Sequence, residues 1–159
     1  MREENNMRIF LAYPFTKLLD ADGNFHESAK HFITNAVKRL EERGHSVFSA
    51  QVREVFGEEL MEPDLATRLD YQEMGNADLV VAFPGWAPIS GGVHVELGWA
   101  SAKGKPILLF LHEDESYTPM VTGLGMVTQV KPILFGDADM DRLVDQILEE
   151  VDQYTLHYT

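Results

Sequence analysis

Two apolar runs constrain the fold of this chain more than any other feature. Asp78 to Phe83 (DLVVAF) and Ile107 to Leu111 (ILLFL) show no alternation of polar and apolar residues. A strand with one wet face alternates; a strand without alternation is covered on both sides, as in the middle of a parallel sheet with helices above and below.

The rest of the chain supplies the other parts of that layered arrangement. Met7 to Tyr13 is a short apolar run stopped by Pro14 and forms a first strand. From Phe25 to Arg43, apolar residues recur at Ala29, Phe32, Ile33, Ala36, Val37 and Leu40, the three-and-four spacing of an amphipathic helix, and Gly44 is its stop. Ser46 to Ala50 reads as a second strand. The polar stretch from Gln51 to Gly75 contains a helix opening at Glu62-Pro63, with Leu65, Ala66 and Leu69 on one side and Asp70 at its border. A helix from about Gly92 to Lys103 ends at Gly104, Gln129 to Phe135 is the fifth strand, and Met140 to Tyr154 is a last helix with Leu143, Val144, Ile147, Leu148 and Val151 inward. The expected fold is α/β: a doubly wound, flavodoxin-like or Rossmann-like, five-stranded parallel sheet of order 2-1-3-4-5, with helices on both faces. Residues 1–159 are expected to form one domain, with 1–6 as a flexible tail. Ligands of such sheets bind at the carboxyl ends of the strands where the order reverses. Here that is between the loops AYPFT and PGWAPISGG.

Charge and composition narrow the function. Thirteen basic against 26 acidic residues give a formal charge of −13, which repels a phosphate polymer and argues against nucleic acid as a partner. A small anion remains compatible, because backbone amides at a helix start can hold one phosphate. There is no cysteine, the start MREENNMRIF lacks the apolar core of a signal peptide, and no apolar run approaches a membrane span. The expectation is a cytoplasmic protein without a membrane partner. The six histidines show no ligand-like spacing, so neither a metal nor a cofactor is expected.

Within the helix that follows the most apolar strand, one carboxylate, Glu96, stands between Val95 and Leu97. Helical side chains lean toward the N-terminus, so its carboxylate points back over Gly92. A structural account is that the acid favours the positive end of the helix dipole, worth under about 1 kcal/mol. That suits an exposed acid; a buried unpaired charge costs several kcal/mol and points to function. Asp70, in the preceding helix, is either a solvated helix residue or a second acid flanking the same strand. Two carboxylates in different environments are the minimum set for cleaving a glycosidic bond. Ser90, Gly91 and Gly92 serve as a helix cap, as a cradle for a phosphate or sugar hydroxyl, or as both. Tyr13, Phe15 and Trp86 either stack on a planar base or close the loops over the core. His94 lies about 200° around the helix from Glu96 and does not pair with it.

Asp70, then NADLVVAF, then Ser90-Gly-Gly, then VELGWASAKGKPILLF resemble the nucleoside 2-deoxyribosyltransferase superfamily, including its deoxynucleoside 5′-monophosphate N-glycosidase branch. The resemblance runs from RIFLAYPFT to GLGMVTQVKPILF. It implies that Glu96 attacks the anomeric carbon and forms a glycosyl-enzyme, while Asp70 helps protonate the departing base. It also implies that Ser90, where transferases carry an aspartate, favours a 5′-monophosphate. A site completed by a neighbouring subunit, with Thr122 as the polar candidate there, implies a homodimer or higher homo-oligomer. The chain departs from the pattern at Ile9, where the family often has tyrosine and for which Tyr13 is near enough to substitute. It departs again in AYPFTK, where Lys17 is the available cation. The expected function is an N-glycosidase acting on a nucleoside 5′-monophosphate or nucleoside. The alternatives are base exchange between deoxynucleosides and a noncatalytic nucleotide-sensing domain.

Overall fold

The structure, a computed structural model, describes residues 6–14, 27–85, 90–136 and 139–158. In chain order the elements are β1 (Arg8–Ala12), α1 (Glu27–Glu42), β2 (Ser46–Phe48), α2 (Ala50–Arg53), α3 (Pro63–Asn76), β3 (Leu79–Ala82), α4 (Gly91–Ala102), β4 (Ile107–His112), α5 (Pro119–Thr122), β5 (Val130–Phe135) and α6 (Met140–Tyr158). Single 3-10 turns occupy Val55–Gly57 and Leu124–Met126. The strands form one parallel sheet of order β2-β1-β3-β4-β5, as the uninterrupted apolar runs require.

Alternate residues along each strand face opposite helical layers, so two cores result. Ile9, Leu11, Val81, Phe83, Leu108, Phe110 and Ile133 meet Phe32, Ile33 and Leu40 of α1 and Val144, Ile147 and Leu148 of α6. Phe10, Ala12, Val80, Ala82, Leu109 and Leu111 meet Met74 of α3, Val93, Leu97 and Ala100 of α4, and Val121 of α5. The six apolar positions expected to point inward from α1 are all buried. Phe32, Ile33, Val37 and Leu40 each contribute roughly 1.5–3 kcal/mol on leaving water. Among the described residues, no helix is long and apolar enough to cross a membrane.

α6 runs on to Tyr158, past the expected end at Tyr154, and the structure differs from the sequence reading at two further places, β2 and α3. β2 stops at Phe48 because Ser49 caps α2, its Oγ accepting from the Val52 amide at 3.3 Å. α3 does not bury Leu65, which is exposed, while Ala66 and Leu69 are half-buried; its anchor is Met74, fully buried one turn from its end. The helix meets the core through Met74 in its last turn, and the apolar side read from the first two turns is at most half-buried. At the tail, Asn6 lies across Gly44, where a Cβ would come within 2.5 Å of Asn6 Oδ1; Gly44 itself has φ +93°. Residues 1–5 lie outside the described residues.

One buried histidine ties β1 to the α1–β2 connection. His45 Nδ1 accepts from the Met7 amide at 3.1 Å, which only the ring with an unprotonated Nδ1 can do. Burial first, and the Arg43 guanidinium after it, lower its pKa from 6.5, against an opposing pull from Asp152. A folded-state pKa below the unfolded one means that the unfolded chain binds the proton more readily, so this contribution is present above about pH 6.5 and is lost as pH falls. Thermal unfolding midpoints measured between about pH 7 and about pH 5 are expected to drop less in His45→Asn, which keeps an acceptor without the titration, than in the wild type. An equal drop in both removes His45 from the acid response.

Candidate active site

Among the described residues, Ser90, Gly91 and Gly92 sit where β3 gives way to its loop and the start of α4. The loop after β3 is closed by the Ser90 amide, which donates to Pro84 O at 3.1 Å. Ser90 then caps α4, its Oγ accepting from the Val93 amide at 3.4 Å. The capping use of this serine is therefore realised. Gly91 and Gly92 are exposed, with open space where side chains would stand, so the first turn of α4 is free to be approached. His94 Nδ1 donates to Ser90 O at 2.6 Å, which turns its ring to its own first helical turn and away from any pairing with Glu96.

Glu96 is half-buried, one turn further along α4. Its carboxyl is withdrawn from water, and that burial, with the charge of Asp70 adding to it, pushes its pKa from 4.5 up to about 8; Arg53 acts in the opposite sense. Helices α3 and α4 pack side by side on one sheet face, which brings Asp70 into the electrostatic range of Glu96. The Asp70 pKa is also raised, by burial first and by Glu54 and Glu73 after it, against the hydrogen bond and charge of Arg53. The charge of Asp70 thus adds to the burial of Glu96, and an acid whose pKa is raised to about 8 holds its proton at neutrality. Both acids are raised above their ordinary values, mainly by burial.

Asp70 is held by a residue that the motif reading passed over. Arg53, the last residue of α2, places Nη1 2.6 Å from Asp70 Oδ1 and Nη2 3.3 Å from Glu54 Oε2. Its guanidinium also lies 5.4 Å from the centre of the Phe48 ring. Gln51, fully buried, anchors α2 to the exit of β1: its Nε2 donates to Tyr13 O at 2.8 Å and its Oε1 accepts from Ser49 Oγ at 3.1 Å. The available signal was position. The segment SAQVRE follows β2 directly, so it arrives at the same edge as the loops after β1 and β3.

The remaining expected site residues fall differently. The Tyr13 ring is buried against Phe32 and Phe83, with ring centres 5.4 and 5.2 Å away, the core-closing placement rather than the stacking one, and burial drives its hydroxyl pKa upward. Phe15, Lys17 and Trp86 lie outside the described residues. Thr122 ends α5 and is exposed, whereas Thr118 caps that helix. Among the described residues, no group of three or more His, Asp or Glu side chains is arranged to hold a metal. A cavity of about 310 Å³ opens at the opposite edge of the sheet, lined by Pro106, Gln129, Lys131, Glu150 and neighbours, and shares no residue with the Glu96–Asp70 cluster.

The family model described as nucleoside 2-deoxyribosyltransferase matches residues 20–151. The chain is similar to a CMP N-glycosidase from Clostridium botulinum, BcmB, at 35% identity over 90% of this chain and 98% of that one, with a TM-score of 0.69. A solution structure of BlsM shares 33% identity over 99% of both chains, with a TM-score of 0.77. A 2-deoxyribosyltransferase from Bacillus psychrosaccharolyticus, 22% identical over 91% of this chain and 95% of that one, shares the fold at a TM-score of 0.59. No curated protein matches the sequence. A family model spanning most of the chain, together with two structures at a third identity over nearly its full length, shows that the chain belongs to the nucleoside 2-deoxyribosyltransferase family.

Proposed function

We propose that the protein hydrolyses the N-glycosidic bond of a nucleoside 5′-monophosphate or nucleoside, with Glu96 as the nucleophile and Asp70 as the proton donor. The observation that carries this reading is the Glu96 carboxyl, withdrawn from water on the helix after β3 and electrostatically tied to one other acid, Asp70. Membership of the family, and similarity to a CMP N-glycosidase, support the bond type and the presence of a phosphate on the substrate. Serine at position 90 supports the same choice, since a carboxylate there repels a phosphate approaching the exposed first turn of α4.

The chemistry balances with these two groups. In the reacting form Glu96 is ionised and Asp70 carries the proton. A Glu96 oxygen bonds the anomeric carbon, the carbon–nitrogen bond breaks, and the departing base takes the bonding pair and the Asp70 proton. Water then bonds the same carbon, the Glu96 ester opens, and the water proton returns to Asp70. Base exchange follows the same course with a second base in place of water, and the family model bears that transferase's description.

We also propose a homodimer or higher homo-oligomer formed through the outer side of α3, α4 and α5. These helices cover one sheet face, yet Tyr71, Val95, Met120, Met126 and Val127 of this layer and its following turn are exposed, and Met120 and Met126 are 81% and 89% accessible. Apolar surface gathered on one side of a molecule marks a contact face.

Three outcomes are expected. Incubated with a panel of nucleosides and their 5′-monophosphates, the wild type releases free base, and release falls as pH rises through about 8, where the pair loses its proton. Glu96→Ala retains less than about a hundredth of that rate; a larger residue of activity sinks the nucleophile assignment, and product formed only with an added second base makes the enzyme a transferase. The second outcome concerns stability. Because Glu96 binds its proton more tightly in the folded chain, its contribution to stability falls as pH rises from 4.5 to about 8. Glu96→Gln is therefore expected to melt higher than the wild type at about pH 8, by a margin that shrinks toward about pH 5. Equal margins at both refute the buried-acid account. Thirdly, light scattering is expected to give a multiple of the chain mass that Val95→Glu reduces; a monomeric wild type rejects the contact face.

A further inference from the structure

We propose that Arg53 is a positioning residue for this site, a guanidinium fixed by Glu54 that holds the Asp70 carboxylate in place and supplies the positive charge against which the Asp70–Glu96 pair keeps its proton. This proposal rests on the glycosidase reading and extends it to a residue outside the two acids.

Geometry carries the argument. Arg53 divides its two terminal nitrogens between two acids, Asp70 at 2.6 Å and Glu54 at 3.3 Å, with all three side chains largely buried. Glu54 is itself immobilised. Its Oε1 accepts from the Met61 amide at 2.9 Å, and its main-chain oxygen accepts from the Gly57 and Glu59 amides, each at 3.0 Å. Between those contacts the chain reverses through Val55 and Phe56, both with left-handed φ, +49° and +52°. Left-handed backbone is unfavourable for any side-chain-bearing residue and worst for a β-branched one such as valine. Such conformations persist where the surroundings over-determine them, and they gather at functional sites. Here the turn aims Arg53 and Glu54 under α3. Phe48 backs the guanidinium and is held in turn by Phe10, ring centres 4.9 Å apart.

Charge supplies the second line. Asp70, Glu54 and Glu96 are three acids, and Glu73 adds a fourth field at Asp70. Arg53 is the cation that acts on both Asp70 and Glu96. On α4, His94 is engaged with Ser90 O, and Lys103 lies over the Tyr71 ring at 4.2 Å. A buried network of this kind is a poor way to gain stability, since apolar residues of similar volume usually do as well or better. It is a good way to fix a proton inventory, because removing the cation leaves acids that can be buried only by taking up protons.

The test compares Arg53→Gln with Arg53→Lys in the full-length protein, by the ¹³C carboxyl titration of Glu96, assigned through its loss in Glu96→Gln, and by the pH profile of base release. Arg53→Gln is expected to move the Glu96 midpoint, and with it the alkaline limb of the profile, upward by about one unit. Arg53→Lys, which keeps the charge without the two-pronged grip, is expected to leave both midpoints in place and to lower kcat at least about tenfold, with KM little changed. A wild type that turns over, combined with an unmoved limb and midpoint in Arg53→Gln, overturns the role of Arg53 while leaving the glycosidase reading intact. So does a uniform loss at every pH in Arg53→Gln, which is the mark of a merely structural residue. If Arg53→Gln does not fold, Arg53→Lys decides alone: wild-type kcat, or a kcat lowered together with the melting temperature, overturns the proposal, and a lowered kcat with KM and melting temperature unchanged upholds it. A wild type that releases no base from the panel overturns the glycosidase reading and this proposal with it.

Discussion

Burial of a parallel sheet on both faces is the constraint from which the rest of this structure follows. β3 and β4 are buried along their whole length, so neither of the strands' faces can hold a polar group in contact with water. Chemistry is admitted only where the strands end. The loop after β3 and the first turns of α4 occupy that position, and the acid of interest lies one turn inside the helix, far enough to lose water and near enough to the edge to meet a ligand.

That placement makes an electrostatic problem for which the neighbouring helices provide the setting. A carboxylate on α4 faces a carboxylate on α3 because the two helices share one sheet face. Ionising both at once in a low-dielectric cleft is unfavourable, so the pair is expected to keep a proton, the condition needed to expel a base and protonate it in one step. The α2 segment completes the arrangement. It is short, anchored through Gln51 to the exit of β1, and ends in the arginine that meets Asp70. Three elements from separate parts of the chain thus converge on Asp70 and Glu96, whereas the cavity at the opposite sheet edge has Glu150 beside Lys131 in its lining.

Legibility from the sequence followed the length scale of the interaction. Long apolar helices were readable to the residue: the inward positions of α1 were those the spacing indicated, since periodicity and burial are the same fact seen twice. Short or leaning elements were not. α3 appears amphipathic over its first turns, yet it meets the sheet through Met74, because a helix's outer face is decided by its tilt and by what covers it. α2, four residues long, has too few turns to show a period. Tyr13 could be read as a stacking ring or as a core ring with equal reason, and the packing of Phe32 and Phe83 placed it in the core.

Taken alone, the sequence determined the layered α/β arrangement and the strand order, because those follow from apolar runs and turn residues, and it singled out Glu96 and Asp70 as candidates. Tertiary structure decided what the acids face. The withdrawal of Glu96 from water, its coupling to Asp70 and the clasp of Arg53 between Asp70 and Glu54 depend on helix packing and on a left-handed turn at Val55 and Phe56. Electrostatic environment is set by distance through space and by access to solvent, neither of which is written in the spacing of residues along a chain.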